Sequence, residues 1–509
     1  MTTDRDHLLG IDVGTSGAKV LLADCVGRVI AVVTREYPLH TPRPLWCEQD
    51  PADWRNAATE AVRDVLVRTG VDGSRIAAIG LTGQMHGLVT LDARGQVIRP
   101  AILWNDQRTA AQCEQLTRQV GAKRVLELTG NPILPGFSAP KIAWLRENEP
   151  DALSRCAHVL LPKDFVRYCL TGEFISDVSD ASGTSLLDVG RRAWSEEMLG
   201  AVGVPHHWLP ALVESPHVCA RVSASAAAEL GIPAGTPVVG GAGDQAAQAI
   251  GAGIVAEGVA SVTIGTSGVV FAATNTYRPE PRGRLHAFCH ALPNQWHLMG
   301  VMLAAGASWR WFRDVLGEPE RSRAIADGRD PYDALTELAA SAPPICEGLL
   351  FLPYLSGERT PHADPHARGV FSGLTLRHDR AHLARAVLEG ISFGLRDSLQ
   401  LLRSVSIPIR EIRASGGGAR SAFWRQLLAD IFAQPIVQTA ASEGAAYGAA
   451  LLAGIGIDCL SVDTIRVAAG TPVSISEPRQ EIVAGYATAY ERYRALYSAL
   501  REHFRTTPP

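Results

Sequence analysis

The sequence has no long apolar run, no Cys-x-x-Cys pair and no basic tract. A membrane-spanning helix needs about 20 apolar residues in a row, so no membrane association is expected. The N-terminus also lacks the apolar stretch of a secretory signal, which favours the cytoplasm. The nine cysteines are scattered and odd in number, which argues against disulfides and structural zinc, and we interpret them as mostly buried thiols. A net charge of −4 predicts no nucleic-acid partner.

Two common nucleotide-binding loops are missing as well. No Gly-x-x-x-x-Gly-Lys-[Ser/Thr] segment occurs, and no Gly-x-Gly-x-x-Gly follows the first apolar strand, which excludes a Walker A loop and a dinucleotide fingerprint. The 509 residues, 46% of them apolar, exceed one ordinary core, and roughly two to three domains are expected. The default partner of such a chain is a small molecule.

The most informative stretch is Gly240–Gln248, with the sequence GGAGDQAAQ. The apolar run at 236–239 predicts a strand before it, and the alanines after Asp244 predict a helix. Two interpretations of Asp244 remain open at this point. Its carboxylate could cap free N–H groups of the helix, or it could act as a general base at the bottom of a cleft.

A Gly-Thr-Ser-Gly turn between two apolar strands occurs twice, about 250 residues apart, and the repetition predicts two related halves. The N–H groups and hydroxyls of such a turn can surround a phosphate. Asp12, at the end of the first strand, could hold Mg²⁺ through water. The alternative is a pair of ordinary hairpins with capped turns. The phosphate-binding candidates are Gly14, Thr15, Ser16, Gly265, Thr266 and Ser267.

Two further segments carry groups suited to ligands. Gly416, Gly417 and Gly418 lie between a predicted strand and a predicted helix, where a flat adenine or ribose ring could approach the backbone; an ordinary helix-entry turn is the alternative. Met85 and His86 follow a buried strand, where α/β proteins place ligands, although a lone histidine is often structural. Trp104 and Asp106 offer stacking and hydrogen bonding to a polyol or, alternatively, form a surface turn. The Pro-, Gly- and Asp-rich region 131–188 is expected to form long loops.

Seven motifs together resemble the FGGY carbohydrate kinases over essentially the whole chain. They are DVGTSGAKV at 12–20, GQMHG at 83–87, PAILWNDQR at 100–108, LPKDF at 161–165, IGTSGV at 264–269, FLPYLSGERTPH at 351–362 and SGGGARS at 415–421. The resemblance implies two actin-like, ribonuclease H-like α/β domains flanking a catalytic cleft. Residues 1–254 would bind the sugar and residues 255–509 would bind ATP.

The resemblance also implies ATP-dependent, Mg²⁺-assisted phosphorylation of a sugar, with D-xylulose expected first and ribulose, gluconate or glycerol as alternatives. A different class, an actin-like ATPase without kinase activity, remains as a rival. Asp244 matches the family's catalytic aspartate, and Met85 and His86 match its sugar contacts. Trp104, Asp106 and Gln245 would fix hydroxyls, although Gln245 stands where asparagine is usual. A homodimer is one option for the assembly.

Overall fold

The computed structural model describes residues 5–439 and 444–506; the outermost residues of both predicted halves, 1–4 and 507–509, lie outside the described residues. The strands up to residue 254 are β1 His7–Val13, β2 Gly17–Asp24, β3 Val29–Glu36, β4 Glu48–Gln49, β5 Ile76–Gly83, β6 Val89–Leu91, β7 Ala101–Ile102, β8 His158–Leu160, β9 Ile175–Asp177, β10 Leu187–Asp188, β11 Ala193–Trp194, β12 Ala211–Val213, β13 Val218–Arg221, β14 Pro237–Val239 and β15 Ala242–Gly243. The helices are α1 Pro51–Thr69, α2 Ala110–Val120, α3 Ala122–Thr129, α4 Ser138–Asn148, α5 Pro150–Ser154, α6 Pro162–Thr171, α7 Val178–Ala181, α8 Glu196–Val202, α9 Ala224–Leu230 and α10 Asp244–Gly251.

The second part of the chain is built from similar elements. Its strands are β16 Gly258–Ile264, β17 Gly268–Thr274, β18 His286–Cys289, β19 Trp296–Met302, β20 Leu350–Leu352, β21 Val370–Ser372, β22 Ile409–Ser415, β23 Ile436–Thr439 and β24 Pro472–Ser476. Its helices are α11 Gly306–Val315, α12 Glu318–Ala326, α13 Pro331–Ser341, α14 Arg380–Ser404, α15 Ala422–Phe432, α16 Gly444–Gly456, α17 Val462–Gly470 and α18 Gln480–Thr506.

The two main sheets share one plan. In the first, β1 pairs antiparallel with β2 and parallel with β5, and the order β3-β2-β1-β5-β14 follows. In the second, β16 pairs antiparallel with β17 and parallel with β22, and the order is β19-β17-β16-β22-β23. Each Gly-Thr-Ser-Gly turn therefore joins the first two strands of its own sheet. The expected pair of ribonuclease H-like α/β domains is confirmed.

The predicted strand pairs agree with the structure, but the predicted loops do not. The amphipathic stripe of α14 lies in the core of the second half. Region 131–188, expected to form loops, instead contains α4 to α7 with three short strands, β8 to β10. Its prolines occupy the first helical turns of α5 and α6, where a missing N–H costs nothing. Asp177 accepts hydrogen bonds at the N-terminus of α7, so the same residues that suggested loops begin helices.

Helix α16 packs between the two halves although it comes late in the chain. Three glycines allow the approach, because a Cβ at Gly10 would lie 1.9 Å from the Ala446 carbonyl oxygen and one at Gly448 would lie 1.7 Å from that of Ala247. Gly80 meets the same helix at a comparable distance. Both β1 and β5 of the first sheet, together with α10, are thus covered by a helix from the second half.

Two predictions from composition can be compared with the described residues. None of the helices in residues 5–439 and 444–506 has the length and apolar character needed to traverse a bilayer. All nine cysteines are free thiols: four are buried, Cys113, Cys156, Cys289 and Cys346, and the other five are partly buried. The interpretation as mostly buried thiols therefore holds only in part, whereas the expected lack of disulfides is confirmed.

The contact at Gly448 predicts an unusually costly glycine-to-alanine change. Adding a methyl group at Gly448 forces α16 away from α10, and overpacking of this kind costs about 1–3 kcal/mol. The matched control is Gly200→Ala in α8, where a Cβ would meet nothing within 4 Å and alanine is the better helix former. Thermal or denaturant unfolding should show a clear loss of stability for Gly448→Ala and none for Gly200→Ala. Equal stability of the two variants would contradict the packing described.

Candidate active site

The register of three short strand ends brings the principal candidates together. Thr82 of β5 pairs with Asp12 on one side and with Ala242 of β15 on the other. The next pair, Gly243 with Gly83, places the start of α10 beside the segment that follows β5. A Cβ on Gly243 would lie 3.0 Å from the Met85 sulfur, a tight contact that glycine avoids. Met85 consequently lies directly against the residue that precedes Asp244.

Asp12 and Asp244 influence each other electrostatically at this sheet edge. Desolvation and the negative charge of Asp12 raise the pKa of Asp244 to about 7, while its hydrogen bonds with Gln245 lower it. Desolvation also raises the pKa of Asp12 to about 6, opposed only by the charge of Lys19. The Asp244 Oδ1 atom accepts a hydrogen bond from the Gln245 N–H at 2.7 Å. Asp244 is therefore both the first residue of α10 and a carboxylate with the proton affinity of a base that works near neutral pH.

The carboxylate pair fits a divalent cation held largely by water. No hydrogen bond contributes to the shifted pKa of Asp12, and no cluster of three or more His, Cys, Asp or Glu residues suited to a metal occurs within the described ranges. Mg²⁺ keeps most of its waters and is usually bound through one or two carboxylates together with substrate phosphates. Asp12, whose pKa no hydrogen bond lowers, lies beside Asp244, and these two carboxylates match that donor set.

His86 is held as a neutral ring. Its Nδ1 atom lies 2.6 Å from the Gly183 carbonyl oxygen, so Nδ1 carries the hydrogen and Nε2 is left as an acceptor. Burial, with contributions from the charges of Lys141 and Arg359, lowers the pKa of His86 to about 3. The ring stacks on Phe137 with centroids 4.4 Å apart, and its backbone has a φ of 70°. A left-handed conformation at a non-glycine residue is typical of functional positions.

Trp104 meets the first Gly-Thr-Ser-Gly turn. Its indole Nε1–H donates to Thr15 Oγ1 at 2.9 Å, and Thr15 in turn donates to Gln84 at 3.3 Å. The ring is 41% exposed, so a flat face remains available beside the turn. The predicted sugar residue Trp104 and the predicted phosphate residue Thr15 are therefore neighbours.

Asp106 lies deeper than the other candidates. It is fully buried, and its oxygens accept hydrogen bonds from the Arg108 guanidinium at 2.7–3.0 Å and from the Cys47 N–H at 2.7 Å. Arg108 also bonds Glu48 at 2.8 Å. Asp106 thus anchors the segment before β4, which carries Cys47, and the turn that carries Trp104.

The glycine patch of the second half lines a cavity next to α10. The cavity has a volume of about 380 Å³ and is bounded by Gly416, Gly417 and Arg420 on one side and by Gln248 of α10 on the other. Gly416 has a φ of 86° and approaches the Ile264 carbonyl oxygen, which a Cβ would meet at 2.5 Å. The structure therefore provides a ring-sized space at the predicted adenosine position.

The remaining phosphate candidates and Gln245 lie around the same helix. The Gly14 N–H donates to the Gly17 carbonyl oxygen at 3.1 Å, and the Gly265 N–H donates to the Ser267 carbonyl oxygen at 2.9 Å, so a backbone hydrogen bond closes each turn, although it reaches one residue further in the first. Ser16, Gly265, Thr266 and Ser267 are exposed. Gln245 faces a narrow gap between α10 and the strands of the second sheet.

Sequence reasoning left the LPKDF motif without a chemical role, and the structure supplies one. Lys163 is fully buried, and its Nζ atom lies 2.5 Å from Asp164, 2.8 Å from Asp177 and 3.2 Å from Asp180. Burial disfavours its charge, but the three carboxylates raise the pKa of Lys163 above its usual value. We call Lys163, Asp164, Arg167, Asp177 and Asp180 the buried ion cluster.

The buried ion cluster holds both ends of the glycine turn that leads into Asp244. Arg167 donates to the Gly240 carbonyl oxygen at 2.5 Å. At the other end, the Gly243 N–H donates to Ser179 Oγ at 3.2 Å, and Ser179 donates to Asp177 at 2.5 Å. No periodicity or motif in the sequence signals these contacts, because they join residues about 60 to 75 positions apart.

Arg359 was also missed as a site residue. It is part of the ERTPH segment, and its positive charge lowers the pKa of both His86 and His286. Burial lowers the pKa of Arg359 itself. The second half therefore brings a partly desolvated guanidinium toward the histidine of the first half.

Two related α/β domains, each with an exposed Gly-Thr-Ser-Gly turn, and a carboxylate pair at the sheet edge define a phosphotransferase of the actin-like ATPase class. Comparison with protein families is more specific. The FGGY family of carbohydrate kinases, N-terminal domain, matches residues 7–251, and the C-terminal domain of that family matches residues 260–457. The chain belongs to the FGGY family of carbohydrate kinases.

Individual relatives match over nearly the full length. The chain is 42% identical to the xylulose kinase of Escherichia coli strain K12, over 97% of this chain and 99% of that protein. The solved xylulose kinase of Rhodospirillum rubrum is 31% identical with a TM-score of 0.91, covering 98% of this chain and 100% of that one. The gluconokinase of Bacillus subtilis is 33% identical, over 88% of this chain and 86% of that protein.

The buried ion cluster predicts a large effect of removing its only lysine. Lys163→Met leaves the buried Asp177 and Asp180 without the counter-charge they share, while Asp164 keeps Arg167, and breaking a buried ion pair costs about 3–5 kcal/mol. Lys123→Met, at a side chain that is 93% exposed, removes the same charge at little cost. Denaturant unfolding at pH 7 should separate the two variants by several kcal/mol. A Lys163→Met protein as stable as the wild type would rule out the role of the cluster.

Proposed function

We propose that the protein transfers the γ-phosphate of ATP to the terminal hydroxyl of D-xylulose, giving D-xylulose 5-phosphate, with Asp244 as general base. The observation that carries the proposal is the placement of Met85 and His86 beside Asp244, through the pairing of Gly83 with Gly243. The names and full-length identity of the relatives support D-xylulose as the sugar. Family membership favours a sugar kinase over an actin-like ATPase without a sugar acceptor.

Each group has a task that follows from its chemistry. Asp244 takes the proton of the sugar hydroxyl as that oxygen attacks the γ-phosphorus in line. The free Nε2 of His86 accepts a hydrogen bond from another hydroxyl, Met85 packs against the carbon chain, and the exposed Trp104 ring covers one face. We keep Gln245 as a contact from α10, whereas Asp106 acts by fixing the turn that carries Trp104.

ATP lies, in this proposal, between the two halves. The glycine patch at 416–418 receives the adenosine, and the two Gly-Thr-Ser-Gly turns receive the phosphates through N–H groups and hydroxyls. Asp12 would hold Mg²⁺ through water, and the ion would supply positive charge against the phosphate oxygens. The cytoplasm is the expected compartment, and a homodimer is the first assembly to test.

A substrate panel tests this function directly. ADP release is measured with D-xylulose, L-ribulose, glycerol and gluconate as acceptors, for the wild type, Asp244→Asn and the exposed control Asp327→Asn. We expect turnover to be highest with D-xylulose and to fall about 10²- to 10⁴-fold in Asp244→Asn, the usual worth of a general base. ATP binding should persist in that variant. Preference for gluconate would reassign the sugar, and near-normal turnover of Asp244→Asn would remove it as the base.

The proton affinity of Asp244 predicts a pH dependence. A general base must be ionised, and its pKa is raised to about 7, so kcat/KM should fall as the pH decreases through neutrality. Positive charge near Asp12 favours the ionised form of Asp244, so saturating Mg²⁺ should move this acid limb to lower pH. Rates measured from about pH 5 to 9 at limiting and saturating Mg²⁺ check both statements. A flat profile over this range would argue against Asp244 as the base.

A further inference from the structure

A second cavity opens in the second half of the molecule. It has a volume of about 820 Å³ and lies between α14, α18 and the segments around residues 283 and 361. It shares no lining residue with the cavity at the glycine patch. Its volume is within the range of about 300–1,000 Å³ that is typical of small-molecule sites. None of the residues assigned above to the sugar or to ATP lines it.

The lining is dominated by arginine. Two carboxylates, Asp397 and Glu491, also border the cavity, so its formal charge is positive in a protein whose net charge is −4. Burial raises the pKa of Asp397 to about 7, and the Tyr490 hydroxyl donates to it at 2.6 Å. The arginines that line the cavity are Arg282, Arg284, Arg396, Arg494 and Arg501.

Three of these arginines lack a counter-ion. Arg284 pairs with Glu280 at 2.6 Å and Arg494 with Glu491 at 3.5 Å, but Arg282, Arg396 and Arg501 form no ion pair with any residue in the described ranges. The Arg396 Nε atom is buried without a hydrogen-bond acceptor. A buried donor left unpaired is costly, and an anionic ligand in the cavity would supply the missing acceptor.

Helical spacing explains why these groups converge. Tyr490, Arg494, Tyr497 and Arg501 recur every three or four residues and so share one face of α18. The Arg396 guanidinium, from α14, lies 4.2 Å from the centre of the Tyr490 ring. His362 stacks on Tyr497. The cavity is thus lined both by arginine guanidinium groups and by aromatic rings.

We propose that this cavity binds a small phosphate-bearing organic molecule at a site separate from the catalytic cleft. Arginine forks match the oxygens of a phosphate dianion in two-point hydrogen bonds. Three arginines without counter-ions suit a dianion better than a single carboxylate. The enclosed volume favours a molecule of sugar-phosphate size over an extended polyanion, and the aromatic walls provide contact for its uncharged part.

Binding of glucose 6-phosphate, inorganic phosphate and glucose is measured by calorimetry on the full-length protein, with ADP and Mg²⁺ at saturation to occupy the nucleotide site. The test variant is the double change Arg282→Gln and Arg501→Gln, because both side chains are exposed and their loss should not unfold the chain. Arg310→Gln, an exposed arginine of α11 outside the cavity, is the matched control. Thermal unfolding and ADP binding establish that each variant is folded.

We expect each phosphate compound to bind both the wild type and Arg310→Gln, and its affinities for these two proteins to differ by no more than about twofold. Glucose should not bind. The double variant should bind at least about tenfold more weakly, since it loses charge-assisted hydrogen bonds to the phosphate, which are stronger than neutral ones. Unchanged affinity in the double variant, or no binding to the wild type, would overturn the proposal. A third result would also overturn the proposal: the wild type binds no phosphate and forms a dimer, and the double variant is a monomer. The arginines would then contact a second copy of the chain.

Discussion

The arrangement of the catalytic edge depends on the charge balance beneath the glycine turn. The charge of Lys163 offsets those of three buried carboxylates. Arg167 and Ser179, which belong to or contact this cluster, fix the two ends of the glycine turn by hydrogen bonds. A turn rich in glycine has many accessible conformations. Fixing its ends by hydrogen bonds is what gives Asp244 one location relative to Asp12 and Met85. The chemistry of the exposed edge therefore depends on electrostatics in the interior.

Much of the fold could be predicted from the sequence because its signals are local. The strand, Gly-Thr-Ser-Gly turn and second strand are contiguous in both halves, and α14 carries its apolar stripe within one segment. Region 131–188 was misjudged because proline, glycine and aspartate occur both in loops and at helix ends. Only the three-dimensional partners of Asp177 and Pro162 distinguish the two situations.

The candidate site likewise has one part that could be predicted from the sequence and another part that could not. Asp12, Thr15, His86 and Asp244 stand in short motifs at strand ends, and strand ends of parallel sheets meet at one edge. Arg359 reaches the histidines from the other half, and the buried ion cluster joins segments that are distant in sequence; neither could be inferred from spacing. The role of Asp106 in ligand binding stays a prediction, and its carboxylate is held by Arg108 and by the Cys47 N–H.

Helix α16 has a consequence for how the chain can be divided. The polypeptide crosses from the first sheet to the second through α10 and later returns through α16 to cover β1 and β5. A fragment ending near residue 254 would leave the glycine-lined face of the first sheet open to water. The complementary fragment would carry an apolar helix without its partners. The first half is therefore not a self-sufficient piece of chain, because α16, which comes from the second half, completes its core.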